Sequence, residues 1–159
     1  MILKTLRTGA AIATIATLAS ISTAHAADEF FLANPEKDIA ISGYDAVAYH
    51  TVGAPTKGSA EFKYEHDRVT WKISSADNLA AFKAAPAKYK PACGGWCAVG
   101  TSKGKKVPTQ AHLFKIVDGQ LYLNSSDGAQ NLFLQETTAR ISDANTNWPE
   151  IKSTPKSDL

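Results

Sequence analysis

The sequence predicts a small single domain of the α+β class, with two β-hairpins and about three helices, carried behind a removable leader. Three observations lead there. Residues 62–73 and 112–124 each hold two short runs of alternating apolar and polar residues around a tight turn, the pattern of a hairpin. Residues 74–85, 127–136 and 140–147 space their apolar residues at helical intervals between capping and breaking residues. The first 26 residues are built unlike all the rest.

Lys4 and Arg7 give the leader a positive start, residues 8–24 carry no charge, and Ala24-His25-Ala26 places small residues where a signal peptidase needs them. A membrane span takes about 20 strongly apolar residues. Thr14, Thr17, Ser20, Ser22 and Thr23 dilute this stretch, so residues 1–26 read as a signal peptide cleaved after Ala26. The expected destination is the periplasm or the medium, with no membrane span after cleavage. Residues 27–40 mix apolar and acidic side chains and read as an irregular N-terminal arm, and the domain itself spans 41–149.

Within the domain, Gly43 opens a segment from Tyr44 to His50 that fits a short strand or one helical turn, followed by a loop marked by Gly53, Pro55 and Gly58. Residues 62–65 and 69–73 form the first hairpin, turned at His66-Asp67-Arg68. Ser74 with Asp77 three residues on resembles a capping box and starts a helix that points Leu79 and Phe82 inward until Pro86. Residues 91–104 hold five glycines or prolines and both cysteines, which predicts a loop or a short helix opened by glycine. Asp118-Gly119 between residues 112–117 and 120–124 is a two-residue hairpin turn. One helix starts near Asp127 and a second covers residues 140–147, stopping at Trp148-Pro149; the tail, 150–159, reads as disordered.

Charge narrows the function. The precursor has 17 Lys plus Arg against 15 Asp plus Glu; the leader carries two of the basic residues and no acidic one, so the remaining chain is balanced. A neutral surface has no electrostatic reason to hold nucleic acid or an anionic membrane. Neither a Gly-rich phosphate loop nor a His-Glu-x-x-His, Gly-x-Ser-x-Gly or paired-carboxylate pattern occurs, so the chain reads as a binding domain, not an enzyme.

Several segments resemble one family in the same order along the chain: Gly43-Tyr44-Asp45-Ala46-Val47-Ala48-Tyr49, Trp71-Lys72-Ile73-Ser74-Ser75, the run from Phe82 to Tyr89, Gly94-Gly95-Trp96-Cys97-Ala98-Val99-Gly100, and the hairpin from Ile116 to Asn124. Together they resemble the YHS domain family, in its exported, stand-alone branch. The resemblance implies a small metal-binding module, with copper the expected metal. It also implies thiols in a Cys-x-x-x-Cys element ahead of the helix phenylalanine and shortly after an aspartate. Carried over, those positions hold Ser74, Asn78 and Ala48, none of which replaces a thiolate toward a soft ion.

Cys93-Gly94-Gly95-Trp96-Cys97 is therefore the segment to weigh, and four readings fit it: a disulfide, a soft-metal site, a redox pair, or two inert buried thiols. Copper as Cu(I), or zinc, would take Cys93 and Cys97 with His112 as the best third ligand or His50 as another. His66, in a hairpin turn, is expected to face solvent. Tyr44, Asp45, Tyr49 and Trp96 form a second candidate group, for a small ligand, although an Asp after Gly-Tyr more often ties down a turn. Trp71, Trp148, Tyr64, Tyr89 and Tyr122 read as core. The first expectation is thus an exported domain binding a soft metal ion, copper preferred. The alternative is a metal-free structural or ligand-binding domain closed by a Cys93–Cys97 disulfide, with a small molecule or another exported protein as partner.

Overall fold

The structure is a computed structural model that describes residues 29–31 and 38–159; the leader and most of the N-terminal arm lie outside the described residues. The elements run in the order α1 (Ala48–Thr51), β1 (Lys63–His66), β2 (Val69–Lys72), α2 (Ala76–Ala84), α3 (Pro86–Tyr89), α4 (Ala98–Thr101), β3 (Gln110–Val117), β4 (Gln120–Asn124), α5 (Asp127–Gln135) and α6 (Thr137–Ile151). The strands make two separate antiparallel pairs, β1 with β2 and β3 with β4. The α+β architecture predicted from the two alternating segments is what the chain adopts. No helix among the described residues is long and apolar enough to cross a membrane.

The first hairpin is tighter than its sequence indicates. Lys63 faces Lys72 and His66 faces Val69, leaving only Asp67 and Arg68 in the turn, at φ of 54° and 63°. A two-residue turn with both residues left-handed matches the strand twist, here built without glycine. His66 thus ends β1 rather than sitting in the turn. Its ring stacks on Tyr64 with centroids 6.0 Å apart, and its side chain is half-buried, not solvent-facing as expected. The second hairpin turns at Asp118-Gly119 as read from the sequence, with Val117 opposite Gln120. Its register breaks between Gln110 and Phe114.

Helix α2 starts one residue later than the capping-box reading. Ser75 is the cap, accepting from the Asn78 amide at 3.2 Å, because Ser74 is engaged by Asp45. Ser126 caps α5 in the same way through the Ala129 amide. Helix α6 runs from Thr137 through Pro149 to Ile151, so the proline stands inside its last turn instead of ending it at Trp148. The segment after it, expected as a disordered tail, is tied at its start: Lys106, only 4% exposed, donates to the carbonyls of Lys152 at 2.8 Å and Thr154 at 2.6 Å. A 3-10 turn then spans Lys156–Asp158.

Two apolar clusters hold these pieces. One gathers Val47, Tyr49, Val69, Trp71, Ile73, Phe82, Leu121 and Leu123, with the Trp71 and Phe82 rings 5.1 Å apart. The other packs Cys97, Ala98, Val99, Tyr122 and Phe133 beneath α5 and α6. Burying a side chain the size of Phe82 removes about 1.5–3 kcal/mol of unfavourable hydration. The cysteine segment lies where β4 and α4 meet, and Cys97 forms a parallel bridge with Leu123.

Candidate functional site

The cysteine segment folds as a 3-10 turn over Ala92–Gly95 followed by α4. Cys93 and Gly94 both adopt left-handed backbone, at φ of 52° and 59°, and the Trp96 amide closes the turn on the Cys93 carbonyl at 3.0 Å. A left-handed cysteine is strained, since its Cβ crowds the backbone there. Gly94 is required by packing: a Cβ at that position would stand 1.9 Å from the Glu29 carbonyl oxygen. The Phe31 amide donates to the Gly94 carbonyl at 2.9 Å, and Phe31 packs its ring 5.3 Å from that of Trp96. The glycine is thus explained by the close approach of the N-terminal arm.

Both cysteines are free thiols and both are buried, Cys93 at 6% exposure and Cys97 at 1%. Cys97 caps α4: its Sγ accepts from the Gly100 amide at 3.4 Å and lies 3.6 Å from Asn124 Oδ1, which it approaches as donor. Asn124, fully buried, also accepts from the Val99 amide at 3.4 Å and donates to Gln130 Oε1 at 2.8 Å. Burial pushes the Cys93 thiol up to about 11, the neighbouring Cys97 adds to the rise, and the Thr101 hydroxyl opposes it. Thr101 Oγ1 is itself buried and has no hydrogen-bond partner among the described residues, so it is placed to donate to a Cys93 thiolate once that sulfur loses its proton. Burial thus favours the protonated thiol at Cys93.

Cys93 opens onto a cavity of about 510 Å³ whose walls include Phe30, Lys90, Gln120, Tyr122, Asn145 and Trp148. Lys90 is held by Asp67 at 2.5 Å and Gln120 Nε2 donates to the Lys90 carbonyl at 2.8 Å. Tyr122 titrates high, because burial, then Cys93 and Asp118, disfavour its phenolate.

The histidines are not brought to the sulfurs. Among the described residues no three of His, Cys, Asp and Glu converge on a point that would hold a metal. His112 is exposed on β3: the alternation that buries Leu113 turns the preceding residue outward. His50 lies on α1 with its ring 5.4 Å from Tyr89, edge-on, and its Nε2 buried without a partner among the described residues. Burial first, and then Lys88, lowers its pKa, both disfavouring the imidazolium.

The second candidate group divides. Asp45, fully buried, is a structural tie: Oδ1 accepts from the amides of Val47 at 2.8 Å and Ala48 at 3.2 Å, capping α1. Its Oδ2 accepts from the Ser74 amide at 2.9 Å, the Ser74 hydroxyl at 2.5 Å and Asn78 Nδ2 at 2.7 Å. Ser74 and Asn78, where the YHS resemblance places thiols, are thus spent on Asp45, and the third such position, Ala48, is fully buried. Tyr49 is core, with its hydroxyl donating to the Ala111 carbonyl at 3.0 Å and its ring 4.9 Å from Phe114. Tyr44 is half-buried beneath the Lys57 ammonium, 3.8 Å from the ring centroid. Trp96 is buried against the arm and does not line the cavity.

Sequence reading missed Asn124 and Thr101 as the polar groups at the sulfurs, and Tyr122 and Trp148 as cavity walls. Tyr122 is core as read from the sequence and also lines the cavity, whereas Trp148 is only partly buried. No protein-family model matches the chain, and no curated protein or solved structure matches it significantly.

Proposed function

We propose that this chain is an exported, YHS-like binding domain that holds one soft ion, Cu(I), between Cys93 and Cys97. One observation carries the reading: Cys93, in the 3-10 turn, and Cys97, at the start of α4, are both free and buried, and Cys93 opens onto a cavity. Thiolates select Cu(I), which two sulfurs satisfy, whereas zinc calls for four donors in a tetrahedron. A two-thiolate donor set therefore fits copper better than zinc. A bis-thiolate complex carries net negative charge, and the Gly100 amide and Thr101 hydroxyl are the groups that would support it at the two sulfurs.

Binding releases the thiol protons, so affinity rises with pH. The test is anaerobic Cu(I) titration of reduced protein against a competing chelator. One equivalent is expected for the parent, none retained for Cys93→Ser or Cys97→Ser, and no change for His112→Ala or His50→Ala. Retention of one equivalent by either serine variant, as in the parent, refutes the reading. Thiol counting on protein isolated without reductant separates it from the disulfide alternative: two reactive thiols after denaturation favour the ion site, and none favours the bridge.

A further inference from the structure

We propose that the cavity beside Cys93 is a binding site for a small organic thiol, which meets the cysteine pair from the Cys93 side. The inference rests on the pair being the protein's binding element and adds to it a ligand and a direction of approach. The volume of about 510 Å³ falls among small-molecule sites, which occupy roughly 300–1,000 Å³, and is far larger than an ion needs. Cys93 lines this space, whereas Cys97 lies behind it at 1% exposure, so a ligand encounters the first sulfur before the second.

The walls indicate the chemistry. Phe30, Tyr122 and Trp148 are among the lining residues, and sulfur packs favourably against aromatic rings. Asn145 offers an amide group to the polar parts of such a ligand, and Gln120 its Oε1 alone, since its Nε2 is held by the Lys90 carbonyl. The cavity's lysine is not a spare charge, since Asp67 already holds Lys90. That arrangement suits a compact polar thiol better than a phosphate or another strongly anionic ligand. With no third His, Cys, Asp or Glu converging among the described residues, an ion on the pair would also lack a further protein donor of those types. The cavity is the side from which a thiol would supply it.

The experiment narrows the cavity without touching either cysteine. Asn145→Trp on α6 and Ala87→Trp on α3 replace exposed lining residues, and an unchanged thermal midpoint establishes that the fold survives. In reduced, metal-free protein at alkaline pH, where the raised Cys93 thiol begins to ionise, iodoacetamide is expected to modify Cys93 before Cys97, because only Cys93 lines the cavity, and the tryptophan variants to slow that reaction at least about tenfold by closing access. S-methylcysteine, an unreactive stand-in for the thiol, is expected to protect Cys93 in the parent and not in the variants. In Cu(I)-loaded protein, cysteine is expected to speed transfer of copper to a chromogenic chelator in the parent and to have little effect in the variants. Absence of protection by S-methylcysteine, or earlier modification of Cys97, overturns the proposal. Protection without copper retention upholds the thiol site and removes the soft-ion reading instead, so the two fail separately.

Discussion

Replacing Asp45 by Asn is the sharpest probe of how this fold is tied together. The substitution keeps Oδ1, and with it the cap on Val47 and Ala48, but turns Oδ2 into an amide that meets the Ser74 amide, the Ser74 hydroxyl and Asn78 Nδ2. Two of those three groups are obligate donors; only the hydroxyl can turn and accept. A hydrogen bond to a charged acceptor contributes about 1.5–3 kcal/mol, and Ser74 and Asn78 are only partly buried, so water recovers a share. The expected loss is about 3 kcal/mol for Asp45→Asn. Asp45→Ala also strands two buried amides, and about 4–5 kcal/mol is expected. Against the 5–15 kcal/mol of an ordinary domain, roughly, either change is severe. Urea unfolding at neutral pH measures it, and an Asp45→Asn/Asn78→Ala cycle should return a coupling of at least about 1 kcal/mol. A loss below about 1 kcal/mol, or no coupling, refutes the view of Asp45 as the tie between α1 and α2. Loss of copper retention in a well-folded Asp45→Asn protein would return Asp45 to the ligand-binding role first considered for it.

Lys106→Met should cost about 2–3 kcal/mol and raise amide exchange after Ile151, because Lys106 donates to the carbonyls of Lys152 and Thr154. Thr101→Val should leave stability unchanged or raise it by about 1 kcal/mol, since the hydroxyl it removes is buried without a partner among the described residues; calorimetry decides. Stability should fall on acidification because of His50. Its folded pKa lies below the ordinary 6.5, so the unfolded chain takes up the proton first, and the loss begins near that value and grows as pH drops toward the folded pKa. His50→Phe should flatten the thermal midpoint between pH 7 and 5; an unchanged slope contradicts the assignment.

The hairpins and the first and second long helices were legible because their signals are local: period-two alternation, Asp-Gly, and serine caps. What was not legible depended on competition or on distance. Ser74 looked like a cap until Asp45, 29 residues away, took both its amide and its hydroxyl. Trp148-Pro149 looked like a helix end, yet a proline within the final turn is tolerated and α6 goes on to Ile151. The cysteine segment holds two free, buried thiols, but the third donor expected beside them is not assembled among the described residues. His112 lies within β3, whose alternation is set by the burial of Leu113, and that turns the imidazole to solvent. Asn124 reaches the Cys97 sulfur from across the sheet, 27 residues on, with nothing in its own neighbourhood to announce it.

X-ray absorption at the copper edge of Cu(I)-loaded protein, prepared without added thiol, tests the central claim most directly. Two sulfur scatterers and no imidazole signature are expected. An imidazole contribution, or the same spectrum from protein lacking both Cys93 and Cys97, contradicts the claim.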